Sequence, residues 1–191
     1  LDYGKKNYFS ALSKNQQDRL SVHLDNVLTF NSPAVDVVCA LNFSYFCFKQ
    51  RQDLVRYFKK VYQSMSENGI FVMDCFGGSQ CQEANEEEIE YEDMKFSYIW
   101  DQDSFDPISN EAKFYIHFKR DGEKKREKVF SYDWRMWSLP ELKDICKDAG
   151  FKKTHIYWEG TDEDGEGDGI YTRAEKGEEC ESWVAYLVAL K

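Results

Sequence analysis

Apolar positions along this chain follow two periods, and the switch between them is sharpest between Ala34 and Gly78. Val35 to Leu41 is a short, β-branched run broken only by Asp36, which predicts a strand buried on both faces. Asn42-Phe43-Ser44 ends it with polar groups. Leu54, Tyr57, Phe58, Val61, Tyr62 and Met65 then recur at helical spacing. Asn68-Gly69 predicts the end of that helix, with Gly69 in the left-handed cap position. Ile70 to Met73 is a second buried strand, followed by Asp74-Cys75-Phe76-Gly77-Gly78. Strand, helix and strand with short joints make a right-handed crossover in a parallel sheet. Ligands of such sheets bind outside the carboxyl ends of the strands. Asn42 to Tyr45 and Asp74 to Gly78 are therefore expected on one rim.

The flanking segments read less sharply. Leu1 to Ser13 has a helical start, and Leu20 to Leu24 alternates as a strand ending at Asp25-Asn26-Val27. After Gly78, the acidic run Glu86 to Glu88 reads as a solvated helix face or loop. Phe96 to Asp101, Ala112 to Lys119 and Lys128 to Trp134 alternate, with turn chemistry at Asp106-Pro107 and Asp121-Gly122. They predict an antiparallel meander. Ser138, Pro140 and Glu141 are the start signals of a helix that Gly150 ends. Lys153 to Trp158 and Trp183 to Leu190 are further strands. The Gly-rich acidic stretch Glu159 to Glu181 between them reads as a mobile loop.

At 191 residues the chain is expected to be one domain, 42% hydrophobic and 16% aromatic. No apolar run reaches the length of a membrane span, so no membrane partner is expected. The net charge of -10 disfavours a nucleic-acid backbone as partner. The six cysteines show no CxxC pair and no zinc spacing, so no metal site is expected. They read as reduced structural thiols, Cys39 and Cys146 among them, of a cytoplasmic protein.

The stretch 34–78, with NFSY after its first strand, DCFGG after its second and YDWRMW later, resembles the class I S-adenosylmethionine-dependent methyltransferases, in a small-molecule-type subfamily. In that resemblance Val35 to Leu41 is the fourth strand and Ile70 to Met73 the fifth. It implies an α/β, Rossmann-like sheet, mostly parallel with an antiparallel last strand. Residues 94–137 would be an inserted meander roofing the site. It implies S-adenosylmethionine as cofactor, S-adenosylhomocysteine as product, and in-line methyl transfer, the expected acceptors being small molecules, with a protein substrate as the other option. A non-catalytic binding or scaffold module on the same fold is the alternative.

By the same resemblance the cofactor is held by Asn26 and Val27, with Asp25 competing for the first role, and by Asn42, Phe43 and Ser44. Without the resemblance, Asp25-Asn26 reads equally well as a plain turn. Asp74, Trp100, Tyr132, Trp134 and Arg135 are the substrate-side candidates. Arg135 needs a partner, with Asp133 or Asp74 expected. Tyr45 and His117 are the candidates for a catalytic base. The family's Gly-rich loop has no counterpart before Asn26, and Asp2 stands too close to Asn26 to match its ribose acid. The expectation is a sequence beginning inside the first helix after the second strand, the first two strands preceding it. In the order 3-2-1-4-5-7-6 those strands separate the third from the fourth. Leu20 to Leu24 should then not pair with Val35 to Leu41, which keeps an open apolar edge.

Overall fold

In the first 32 residues the helical start is real but short. The computed structural model describes residues 1–163 and 167–191, and it divides them into two units, Leu1–Ser32 and Pro33–Lys191. The first unit contains α1 (Asp2–Asn7), a 3₁₀ turn at Phe9–Ala11, and α2 (Lys14–Gln17). A capping box of Ser13 and Gln16 starts α2. The alternating residues Leu20 to Leu24 form no strand. Alternation supplies a face but not the neighbouring backbone that a strand's N–H and C=O groups require, and Leu20, Val22 and Leu24 stay exposed.

The second unit is built on two sheets. Its elements are β1 (Val35–Ala40), α3 (Arg51–Gln63), β2 (Met65–Gly77), β3 (Asn85–Tyr91), β4 (Phe96–Asp106), β5 (Glu111–Arg120), β6 (Arg126–Arg135), α4 (Leu139–Ala149), β7 (Lys153–Thr161), β8 (Gly167–Ala174) and β9 (Trp183–Leu190). The mixed sheet has the order β1-β2-β9-β7-β8, and the antiparallel sheet the order β3-β4-β5-β6. β1 and β2 pair in parallel, while β9 runs antiparallel between β2 and β7. The expected order of fourth, fifth, seventh and sixth strands is thus present.

Several expectations change. β1 lies at the expected edge of its sheet but is not buried on both faces: Val37 is 53% exposed, Cys39 is exposed, and Ala40 alone is fully buried. Among the described residues it pairs only with β2, so one edge and much of its surface are open. α3 stops at Gln63, before Met65. Ser64 N–H donates to the carbonyls of Lys60 and Val61, and the Ser64 hydroxyl donates to Val61 O at 2.8 Å, which closes the last turn early. Gly69 consequently lies inside β2 and caps nothing. The acidic run Glu86 to Glu88 forms β3 rather than a helix face or loop, because the exposed edge of β4 offers it a ladder and its carboxylates can stay in water. In the stretch Glu159 to Glu181, β7 continues to Thr161 and pairs with β8 as a hairpin. The remainder of that expected loop includes positions 164–166, which lie outside the described residues.

α3 and α4 pack together over one face of the mixed sheet. Leu54, Phe58 and Val61 from α3 join Leu142, Ile145 and Cys146 from α4, Phe71 and Met73 from β2, and Leu187 from β9. α4 begins and ends where its sequence signals place it: the Ser138–Glu141 capping box is formed, and Gly150 takes φ 111°. A cap stabilises by about 1 kcal/mol, whereas each buried Leu, Ile or Phe contributes about 1.5–3 kcal/mol. The cap therefore fixes the start of α4, and burial of its apolar stripe holds it down.

Two glycines at the end of β2 allow the chain to close on itself. A Cβ on Gly77 would meet the Trp183 ring, and one on Gly78, whose φ is 117°, would meet the backbone carbonyl of Glu181. Gly78→Ala should lower the urea midpoint and cost about 1–3 kcal/mol, because backbone cannot give way as a flexible side chain can. Thiol chemistry tests the core separately. Burial pushes Cys75 and Cys146 up to about 12 and Cys81 to about 11. Titration with a thiol-reactive disulfide near pH 8 should label exposed Cys39, Cys47 and Cys180 in the native protein and the other three only on denaturation.

Candidate active site

The parallel register places Ala40 opposite Met73, so the chain leaving β1 runs beside Asp74. The Asp74 carboxylate accepts the Asn42 N–H at 2.7 Å and the Phe43 N–H at 2.9 Å. Both of those residues are left-handed, with φ of 57° and 52°. Such a conformation costs about 1–2 kcal/mol per residue, and each hydrogen bond to a charged acceptor offsets about 1.5–3 kcal/mol. The carboxylate is therefore sufficient to hold the turn. From below, the Tyr45 hydroxyl donates to the Asp74 carbonyl at 2.6 Å. Asp74 is 8% exposed. Burial raises its carboxyl above the usual range, while the N–H groups of Phe43 and Asn42 pull it back.

The pinned turn presents Asn42 and Ser44 to the surface and turns Phe43 inward. Phe43 and Phe76 meet edge to face at 4.5 Å. With Tyr98, Trp100, Gln102 and Glu87 they line a cavity of about 320 Å³ between the carboxyl rim of β1–β2 and the antiparallel sheet. Gln102 ties β4 to the connection between β2 and β3: its amide donates to the carbonyls of Gln80, at 2.6 Å, and Glu83. A second cavity of about 190 Å³ lies past Gly77 and Gly78, against Asn110, Met136, Trp137 and Trp183.

The substrate-side candidates separate into two groups. Trp100 lines the larger cavity. Tyr132 packs behind it, 6.1 Å from Trp100 and 4.5 Å from Trp134 between ring centres. Trp134 is 6% exposed and belongs to the core. Asp74 is spent on the Asn42–Phe43 turn. Arg135 braces the end of β6. Its guanidinium donates to Lys49 O at 3.1 Å and pairs with Glu141 at 3.2 Å, while stacking 3.9 Å over Trp137. Neither Asp133 nor Asp74 is its partner; Asp133 pairs with Lys49 at 2.6 Å.

Neither base candidate reaches the cavity. Tyr45 is 1% exposed and its hydroxyl is occupied by Asp74. Burial first, then Cys75 and Asp74, keep its phenol well above 10. His117 stands opposite Ile99 and Trp100 opposite Ile116, so the pleat puts His117 on the other face of the antiparallel sheet from Trp100. There it bonds Asp101 at 3.0 Å and accepts the Lys128 N–H at 2.9 Å. Glu86 lies with this pair. The Nδ1 lone pair is already used by that N–H, so Nε2 carries the proton and offers no lone pair to a metal.

In the first unit, Asp25 accepts the Asn26 N–H at 2.8 Å, and Asn26 Oδ1 accepts the Leu28 N–H at 2.9 Å. That is an Asx turn, the plain reading of these residues. Val27 is 52% exposed. The residues missed from sequence are Tyr98, Gln102, Phe76 and Glu87. Alternation already put Tyr98 and Gln102 on the Trp100 face, and only the pairing of β3 with β4 brings Glu87 opposite Trp100.

No protein-family model and no curated protein matches the chain. Solved structures do. An S-adenosylmethionine-dependent methyltransferase from Clostridium acetobutylicum superposes with a TM-score of 0.64 at 20% identity, over 93% of this chain and 68% of that one. The sugar N-methyltransferase KedS8 from Streptoalloteichus gives 0.54 at 15%, over 93% and 66%. The glycopeptide N-methyltransferase MtfA, complexed with S-adenosylhomocysteine, gives 0.56 at 12%, over 96% and 66%. The chain spans about two thirds of the length of these structures. Its mixed sheet with an antiparallel strand inserted between β2 and β7, covered by an antiparallel sheet at the carboxyl rim, is the fold of the S-adenosylmethionine-dependent methyltransferases.

Proposed function

We propose that this protein is an S-adenosylmethionine-dependent methyltransferase acting on a small molecule. The observation that carries the reading is the Asp74-pinned turn Asn42–Ser44, set at the carboxyl rim of β1–β2 beside an aromatic cavity. The solved structures named above as sugar and glycopeptide N-methyltransferases support a small-molecule acceptor. The chain acts as one methyltransferase domain in which residues 94–137 cover the substrate. Its free thiols suit a reducing, cytoplasmic compartment.

The donor set fits the cofactor. Asn42 and Ser44 are exposed while their main chain is fixed from behind, so polar groups are held ready without a cost of ordering on binding. Phe43 and Ser44 border the transferred group. Bound there, S-adenosylmethionine would supply a sulfonium methyl group that an in-line nucleophile takes, with S-adenosylhomocysteine as the leaving thioether. What the chain supplies is alignment and a dry site, and alignment can contribute roughly 7–11 kcal/mol. Trp100 offers a face to a planar or cationic acceptor. Glu87, opposite it, is the carboxylate positioned to take the proton that a nitrogen nucleophile loses.

Titration calorimetry with S-adenosylhomocysteine should give micromolar binding. A folded protein that shows neither heat nor a thermal shift would leave only the binding-module reading. Asp74→Ala should weaken that binding about tenfold, or about 1.4 kcal/mol, by freeing the turn, whereas Tyr132→Ala should leave it unchanged. The same carboxylate gives a pH signature. Its pKa is raised on folding, so the native state holds the proton longer than the unfolded chain. Denaturant melts should show the stability of the wild type, measured against Asp74→Ala, falling as pH rises from below 3.8 through the raised pKa and level above it.

A further inference from the structure

The face of the antiparallel sheet that carries Trp100 does not end at the candidate active site. Cross-strand pairs put Ile89, Tyr98 and Phe118 on the same face, and beyond them Tyr91, Phe96 and Arg120. Arg126 pairs across from Phe118 on that face. Tyr98 and Phe118 lie 6.0 Å apart, and Phe96 and Phe118 6.2 Å apart, so the aromatic strip is continuous from the first cavity outward. It opens into a cavity of about 490 Å³ lined by Met94, Phe96, Phe118, Val129, Arg120 and Arg126. Met94 is 63% and Val129 44% exposed, so the cavity has apolar walls open to solvent.

Charge says what belongs there. The chain carries a net charge of -10, yet positions 119–128 hold six basic residues against three acidic ones. Arg120 and Arg126 both line the cavity, and no acidic residue does. Arg126 shares its charge with Glu123 at 2.7 Å, and among the described residues no carboxylate lies within ion-pair distance of Arg120. Such forks match carboxylate and phosphate oxygens two at a time. Along β4, Trp100 and Phe96 are four residues apart, roughly 13 Å at about 3.3 Å per residue.

We propose that this second cavity holds the far end of the methyl acceptor, which is an extended small molecule. Its reacting end lies by Trp100 and Glu87, and an aromatic body bearing an anion, phosphate or carboxylate, lies on Phe96 and Phe118 with the anion on Arg120 and Arg126. The proposal rests on the methyl-transfer reading for the role of the ligand, though not for the existence of the subsite. It also gives the acceptor a polarity, with any cationic or nitrogenous group near Glu87 and the negative group remote from it.

The test is titration of 1-naphthyl phosphate, 1-naphthoate, 1-naphthol and inorganic phosphate into the full chain and into Arg120→Gln and Arg126→Gln, with S-adenosylhomocysteine run alongside. At least one naphthyl anion should bind at least tenfold more tightly than naphthol or inorganic phosphate, and each variant should lose about tenfold or more of that binding. The preferred anion identifies the acceptor class. Both arginines are exposed, so the variants should fold and bind S-adenosylhomocysteine as the wild type does. Anion binding that ignores both substitutions, or no anion binding beside intact S-adenosylhomocysteine binding, overturns the subsite and leaves methyl transfer standing. Arginine-dependent anion binding without S-adenosylhomocysteine binding keeps the subsite and removes methyl transfer. Phe130 lies on the same face, 52% exposed and 6.3 Å from Phe118, and sedimentation that shows a dimer abolished by Phe130→Asp would assign the face to a second copy of the chain and also overturn the proposal.

Discussion

One carboxylate holds the geometry of the rim. Asp74 sits at the point where two parallel strands end together, and it spends both oxygens on consecutive N–H groups of the neighbouring chain. Those two groups belong to residues that would otherwise leave the left-handed region. The arrangement is local in space but long in sequence, joining positions more than thirty residues apart. Its rigidity comes from the layer beneath, where Tyr45 ties the Asp74 carbonyl and Cys75 donates weakly to Trp137 O at 3.4 Å. The same contacts occupy both Asp74 carboxylate oxygens and the Tyr45 hydroxyl within the protein.

The second constraint is the way the antiparallel sheet is anchored. Its β6 end is sealed by Arg135, stacked on Trp137 and bonded to Lys49 O and Glu141, and by Lys49 itself, which also pairs with Glu111 at 2.9 Å. Asp133 and Glu111 hold Lys49 in its charged form through those hydrogen bonds. Trp134 and Phe114 bury the near part of the sheet in the common core. The far part, from Tyr98 outward, is left overhanging with its aromatic face open. A sheet fixed at one end and open at the other forms both the cavity beside the rim and the surface that extends from it.

Much of the frame was legible from periodicity and caps. The crossover β1–α3–β2, the three long meander strands, α4 with both its ends, and β9 all lie where the patterns put them. These are segments in which hydrophobic period and stop signals agree. The failures fall where a segment's fate depends on a partner. Leu20 to Leu24 alternates but forms no strand, β1 lies at the expected open edge but is not buried on both faces, and the acidic run became β3 because β4 offered it a ladder. Ser64 ended α3 through bonds to its own last turn, ahead of the more conspicuous Asn68-Gly69.

By itself the sequence determined the class of fold and which two short segments, 42–45 and 74–78, share a rim, because strand order and direction follow from the order of apolar runs. It also determined that Phe96, Tyr98, Trp100 and Gln102 would share one face of their strand, because alternation along one strand is a local property. Tertiary structure alone decided what each polar group does. Asp74 became a clamp and Arg135 a brace because their partners, Asn42 and Phe43 in one case and Lys49 and Glu141 in the other, arrive from other elements. His117 went to the far side of its sheet because pairing register, which no single strand encodes, sets the face. A side chain's chemistry is written in its identity, but whether that chemistry is spent on the protein or left for a ligand depends on neighbours that only folding brings.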